Sequence, residues 1–230
     1  MTRNHVGRTA LAAALATAVL MGAPAMSADQ TSSDDWRPLF DGKSLAGWRG
    51  YKTPTPPAGW QAVDGDLVRN GPGGDLMTVD EFGDFELELE WKVGPGGNSG
   101  IMYRVATGAE LPWHSGPEFQ VLDNARHADG KNPLTSAGSN YAVHAPVRDV
   151  TRPVGEWNAV RLVVRGDHVE HWLNGVKLLE YELGSPDWTA RVKASKFATL
   201  PGYGRARRGH LVLQDHGDVV SFRRIRIRTH

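Results

Sequence analysis

The sequence predicts an all-β protein, an antiparallel sandwich of two sheets, on three observations. Apolar and polar residues alternate at period two through many short runs. Two-residue turn signals, among them Asp64-Gly65, Gly166-Asp167, Asn174-Gly175 and Gly217-Asp218, separate those runs. Almost nothing repeats at the helical period, and 27 glycines with eight tryptophans in 230 residues suit a turn-rich chain with aromatic contact surfaces. A curved sandwich of this kind offers a concave face with room for a ligand.

The chain opens on Arg3 and Arg8, an apolar run from Ala10 to Met21 and the small residues Ala23, Ala25, Ser27 and Ala28. That pattern predicts a secretory leader over residues 1–28, cleaved after Ser27 or Ala28, and hence a periplasmic or extracellular product. Its apolar run is short for a membrane span. With no cysteine for a lipid or a disulfide, the expectation is a protein without membrane insertion after cleavage, stabilised by its core. Residues 29–35 are polar and read as a disordered lead-in. The remaining stretch, 36–230, has the length of a single domain with a sizeable core. Removing the leader takes two arginines from a balanced 26 basic and 26 acidic residues, leaving a formal charge of −2. A near-neutral surface argues against a nucleic-acid partner.

From Trp36 to Trp48 the chain reads as a short strand, a turn and an aromatic anchor, and Thr53-Pro54-Thr55-Pro56-Pro57 as a loop. Trp60–Val63 and Asp66–Arg69 form a hairpin about Asp64-Gly65. In the strand 84–91, Phe85, Leu87, Leu89 and Trp91 share one face and Glu86, Glu88 and Glu90 the other. Three carboxylates in a row resemble the paired acids of retaining glycanases. Without polar partners between them they read instead as a solvated outer face. The glycine-rich turn 94–100 lacks the following lysine and helix of a phosphate cradle, and leads into a strand over 101–105.

Gly116-Pro117 enters the central strand, in which Glu118 and Gln120 point one way and Phe119 and Val121 the other. A carboxylate beside an amide suits a sugar-binding face. The loop 124–153, with His127, Tyr141 and His144, is long enough to be functional. A meander follows over 159–181, then a short helix or irregular loop over 184–196. Two last strands cover 209–216 and 219–228, with a bulge expected at Arg223-Arg224. Within 210–216, period two puts His210, Gln214 and His216 on one face. Polar residues at such strand positions cover either solvent or a site. Arg104, Glu118 with Gln120, His171, His210, Gln214 and His216 are therefore candidates for one cleft.

Phe40-Asp41-Gly42-Lys43-Ser44-Leu45-Ala46-Gly47-Trp48, Asn98-Ser99-Gly100-Ile101-Met102-Tyr103-Arg104 and Pro117-Glu118-Phe119-Gln120-Val121-Leu122-Asp123 together resemble the 3-keto-disaccharide hydrolase domain family. The resemblance continues through Gly155-Glu156-Trp157-Asn158, Glu170-His171-Trp172-Leu173-Asn174-Gly175, Ser195-Lys196-Phe197, Gly209-His210, Leu213-Gln214-Asp215-His216-Gly217 and Phe222-Arg223. It implies a concanavalin-like jelly roll acting on glycosides oxidised at the sugar 3-position. Arg224 stands where the family has an asparagine.

A 3-keto group acidifies the C2 hydrogen, so a base can open a β-elimination that expels the aglycone from C1, and water can then add back. That route needs a base of near-neutral pKa, an electrophile at the keto oxygen and a proton donor for the leaving group. Glu118, His171 and His216 are the acid and base candidates. Arg104, Gln120, Lys196, Gln214 and His210 are candidates for holding the substrate or the enolate. A divalent metal on Glu118 with His216 or His171 is possible, but no short ligand spacing marks one. A non-catalytic, lectin-like sugar-binding module is the competing class, with Trp113 or Trp188 as stacking surfaces. Such a module has little use for histidines beside a carboxylate.

Overall fold

In the computed structural model, which describes residues 1–2 and 36–230, two antiparallel sheets pack face to face. Apart from Met1 and Thr2, the leader and the polar stretch read over 1–35 lie outside the described residues. The strands are β1 (Arg37–Pro38), β2 (Trp48–Gly50), β3 (Trp60–Val63), β4 (Asp66–Arg69), β5 (Leu76–Phe82), β6 (Phe85–Val93) and β7 (Asn98–Val105). They continue as β8 (Glu118–Leu122), β9 (Asn158–Arg165), β10 (His168–Leu173), β11 (Val176–Glu182), β12 (Gly209–Leu213) and β13 (Val220–Thr229). Among the described residues there is one α-helix, α1 (Pro186–Lys193), which starts at a Ser185 cap whose side chain accepts from the Trp188 amide. The eight-stranded sheet runs β11-β10-β9-β6-β13-β4-β3, with β1 added on β13, and the five-stranded sheet runs β2-β5-β12-β7-β8.

The predicted sandwich is what forms, and the hairpin β3–β4 has the predicted bounds. Phe85, Leu87, Leu89, Trp91, Leu162, Val164, Phe222, Ile225 and Ile227 from the larger sheet meet Leu76, Ile101, Phe119, Val121 and Leu213 in the main core between the sheets. The far face of the smaller sheet carries its own apolar group, Met77, Met102, Val105 and Val212, with Tyr51 and Trp113 packed on it.

β5 was not expected from the sequence. Its exposed run Val79-Asp80-Glu81 interrupts the alternation, and its pairing with β12 slips between His210 and Val212. The bulge expected in β13 is present, with Arg224 at φ +52° and a register shift between Arg223 and Arg226.

The acidic face of β6 differs from the solvated surface read for it. Glu86 is fully buried under Arg161 at 2.7 Å, Arg165 at 2.6 Å and Arg228 at 2.8 Å. Glu88 pairs with Arg226 at 2.6 Å and Glu90 with Arg223 at 2.6 Å. The partners were hidden in the arginine periodicity of β9 and β13, which becomes informative only once those strands are known to flank β6.

Candidate functional site

β7 and β8 build the floor of the site. Their register sets Gly100 opposite Gln120 and Met102 opposite Glu118. Period two then sends Phe119 and Val121 into the core and Glu118 and Gln120 to the other face of the sheet. Gly100 is required here: a Cβ at that position would lie 1.9 Å from Glu118 Oε1. The Gln120 amide, oriented to satisfy both neighbours, donates from its nitrogen to the Ser99 carbonyl at 3.0 Å and to Glu118 Oε1 at 3.2 Å.

Three loops close over this floor. Residues 138–144 add to the edge of β8: Gly138 N–H donates to Gln120 O, Gln120 N–H to Ser139 O and Tyr141 N–H to Glu118 O. This brings the Tyr141 ring into the same cavity as Glu118, with its hydroxyl donating to Asp129 at 3.0 Å. The segment after α1 brings Lys196, whose Nζ lies 4.4 Å from the Tyr141 ring centroid and 4.9 Å from that of Trp113. The turn after β12 is tied down by Gln214 N–H to Gly100 O at 2.9 Å and by Ser99 Oγ to Gln214 O at 2.8 Å. Arg69 holds Asp215 at 2.7 Å, and Asp75 accepts from the Asp215 amide at 2.8 Å.

The resulting cavity, about 190 Å³, is lined by Asn98, Trp113, Glu118, Gln120, Tyr141, Lys196, Gln214 and His216. It is smaller than the roughly 300–1,000 Å³ of common ligand sites and suits a single sugar ring. Larger clefts of about 750 and 600 Å³ lie over the β6 carboxylate face and beneath loop 124–156. Their acids, such as Glu88, Glu90, Asp123 and Asp149, are already held by arginines or backbone amides.

Burial dominates the electrostatics of the small cavity. It pushes the Glu118 carboxyl up to about 8; Lys196 opposes the rise, and the negative Asp75 and Asp129 add to it. Burial also lowers Lys196, against the pull of Glu118 and Asp129. Asp75 is raised to about 6, first by burial. A carboxyl poised near neutrality, an ammonium in an aromatic cage and three amides can together move a proton and hold a developing oxyanion.

Five of the candidates named from the sequence meet in this cavity: Glu118, Gln120, Lys196, Gln214 and His216. The other three lie elsewhere. Arg104 sits at φ +51° and turns to the far end of the sheet, donating to Gly83 O at 3.1 Å, Gly166 O at 2.8 Å and Asp84 at 3.0 Å. Across from it, the slip between His210 and Val212 breaks the shared face expected for 210–216. His210 donates from Nδ1 to Thr78 O at 2.9 Å, while Gln214 and His216 lie beyond the end of β12. His171 is fully buried between the sheets, 4.8 Å ring to ring from Phe119, and donates to Gly138 O at 3.1 Å. Burial lowers it to about 3, so it is neutral and holds the core.

Trp188 is no sugar platform either: it is 4 % exposed and stacks between Tyr181 and Tyr203. Asn98 was not singled out from the sequence; its signal was its place at the head of a strand, two residues before the glycine that admits Glu118.

The chemistry of the donor set argues against a cation in this cavity. Among the described residues Glu118 and His216 are its sole carboxylate and imidazole, and they share it with the Lys196 ammonium. Among the described residues, His168, Glu170 and Glu180 do bring ligand atoms within 4.8 Å of one another. Those atoms lie on β10 and β11 of the other sheet. There Lys177 reaches Glu180 at 2.6 Å and Glu170 at 3.5 Å, and the Trp172 ring N–H donates to Glu170 at 2.7 Å.

The family model described as the 3-keto-alpha-glucoside-1,2-lyase-like domain matches residues 35–228. A curated relative from Bacteroides thetaiotaomicron, named 3-keto-disaccharide hydrolase, is 36 % identical over 228 residues, covering 85 % of this chain and 79 % of its own. A crystal structure from Parabacteroides distasonis ATCC 8503, described as a "putative glycosyl hydrolase", shares 35 % identity at a TM-score of 0.80, over 85 % of this chain and 94 % of that one. The laminarinase of Flavobacterium sp. UMI-01, at 11 % identity and a TM-score of 0.51 over 84 % of this chain and 97 % of that one, shares the jelly-roll fold alone. The chain belongs to the 3-keto-alpha-glucoside-1,2-lyase-like family.

Proposed function

We propose that this protein is an exported enzyme that cleaves 3-keto-glucosides by proton abstraction at C2 and elimination of the C1 substituent, with water added back when the outcome is hydrolysis. The observation that carries the reading is Glu118, a buried carboxyl ionising near 8 in a one-sugar cavity beside Lys196. A base matched to the operating pH is what C2 deprotonation needs. An ordinary glycosidase uses two carboxylates flanking the bond, and among the described residues this cavity is lined by one. Export rests on the leader read in the sequence, and the carbohydrate-active class on family membership.

Ionised Glu118 takes the C2 proton, and the electron pair moves to the C3 oxygen as an enolate. The Lys196 ammonium, held against the faces of Trp113 and Tyr141, offsets that charge. The enolate then re-forms the ketone, the C1–O bond breaks with its pair on the aglycone oxygen, and His216 supplies the proton. Water adding across C1 and C2 gives a hydroxyl at C1 and a hydrogen at C2, for a net hydrolysis. Asn98, Gln120 and Gln214 hold sugar hydroxyls and orient Glu118.

The test is release of a chromogenic aglycone from a 3-keto-glucoside and from its unoxidised parent, with and without chelator. Release from the keto compound alone, insensitive to chelator, is expected. Release from neither, with measurable sugar binding, would sink the reading in favour of a lectin-like module.

A further inference from the structure

A chain of polar groups leads away from Glu118 and ends on a histidine outside the cavity lining. His127 Nδ1 accepts the Asp129 amide N–H at 3.1 Å. A neutral imidazole with an accepting Nδ1 carries its proton on Nε2. That Nε2 lies 3.3 Å from the Asn98 amide, so Asn98 turns its oxygen to it, since two donors cannot bond. The Asn98 nitrogen then faces the Gln120 amide at 3.4 Å, whose oxygen accepts, leaving the Gln120 nitrogen to donate to Ser99 O and Glu118 Oε1. The polarity of every link is fixed by the one before it. Asn98 and Gln120 are 2 % and 1 % exposed, so neither amide has bulk water as an alternative partner.

We infer that His127 is a positioning residue for the reaction: through Asn98 and Gln120 it fixes a hydrogen bond onto Glu118 Oε1, so that Oε2 is the oxygen that takes and returns the C2 proton. The inference rests on the proposed elimination for its kinetic meaning but on hydrogen-bond polarity alone for its structure. Oε1 is also the oxygen that occupies the space a side chain at position 100 would fill. His127 touches no substrate in this scheme; its ring also packs edge-on against His216 at 6.0 Å between centroids, and the titration of Glu118 is the readout that separates the amide route from that contact.

Two variants separate the relay from a merely structural role, because His127 also caps the short turn at 128–131 through Nδ1. His127→Asn keeps an acceptor near the Nδ1 position but loses the Nε2 donor; His127→Gln reaches the Nε2 position with an N–H. Melting temperature establishes that both fold. His127→Asn is expected to lower kcat on a 3-keto-glucoside about tenfold, with KM within about twofold, and to move the acidic limb of kcat upward by about one pH unit. His127→Gln is expected to restore most of kcat and the original limb.

The substrate-free readout is the carboxyl ¹³C titration of Glu118, which should move up in His127→Asn and stay in place in His127→Gln. Unchanged titration in both variants, or loss in His127→Gln with His127→Asn intact, would overturn the relay. If the wild type turns over no keto-glucoside while the titration shifts as stated, the relay stands and the proposed reaction falls.

Discussion

Replacing Glu118 with glutamine should abolish turnover and stabilise the fold, with a pH dependence that can be worked out. The carboxyl ionises near 4.5 when unfolded and at about 8 in the cavity. A group with a raised folded pKa contributes stability fully present below its unfolded value and lost as pH rises to the folded one. Each pH unit between those values removes about 1.4 kcal/mol, so by pH 8 the wild type has lost roughly 3–5 kcal/mol relative to a permanently neutral side chain. The amide of Glu118→Gln has nearly the same shape, and its oxygen accepts the Gln120 donor. The variant should match the wild type at pH 4.5 and exceed it progressively above that. For a domain of this size the gap is about 6–20 °C in melting temperature at pH 8. Thermal and urea unfolding at pH 4.5, 6, 7 and 8 would read it. A stability difference that stays flat across that range would refute the buried, destabilised carboxyl and the catalytic argument built on it.

Four further outcomes follow from the same geometry. If Glu118 is the base, kcat/KM on a 3-keto-glucoside rises about tenfold per pH unit below about 8 and then levels; a pH–rate profile flat from 6 to 8 excludes that role. Gly100→Ala puts a Cβ 1.9 Å from Glu118 Oε1, so steady-state kinetics should show kcat/KM down by about a hundredfold or more while circular dichroism still reports the sandwich. His171, held neutral with its pKa depressed to about 3 from 6.5, contributes stability that is present above about pH 6.5 and lost as pH falls towards 3; unfolding of His171→Asn against pH should show a shallower acid loss. Arg104→Ala strips donors from the Gly83 and Gly166 carbonyls and should cost about 2–4 kcal/mol in denaturant unfolding, with KM on the keto-glucoside unchanged within twofold.

The legible parts of this protein are those where the period-two rule runs unbroken. β8 is five residues without a bulge, and Glu118 and Gln120 fall together as alternation requires. The hairpins were legible because Asp-Gly and Asn-Gly fix both turn and register. Arg104 and His210 defeated the rule for one shared reason: β7 and β12 slip against each other at those residues, and a one-residue slip sends a side chain to the other face. His171 is a different case. Val169, His171 and Leu173 alternate on one face, so β10 itself marks the histidine as a core residue, and only its residue type points to an acid–base role. Lys196 stands alone after a helix, where no periodicity bears on it, and only the resemblance to the family pointed to it.

Glu86 and Glu118 show why residue type could not identify the site. Both are nearly inaccessible carboxyls on strands of the same sandwich. Burial alone would raise Glu86, but hydrogen bonds from Arg228 and Arg161 override it and hold the group at about 2. Glu118 meets two amides, aromatic rings and one lysine already committed to those rings, and stays near 8. The sequence displays the Glu86 strand far more loudly, with three acids in register, and that display marks structural charge pairing. What sets the other glutamate apart is a missing partner: no arginine crosses from β7 to meet it, because the positions opposite Glu118 and Gln120 are Met102 and Gly100 and the arginine of that strand has been turned away by a bulge. A strand that arranges emptiness around one carboxyl keeps a destabilising group, and the stability measured for Glu118→Gln is the direct reading of how much that arrangement costs.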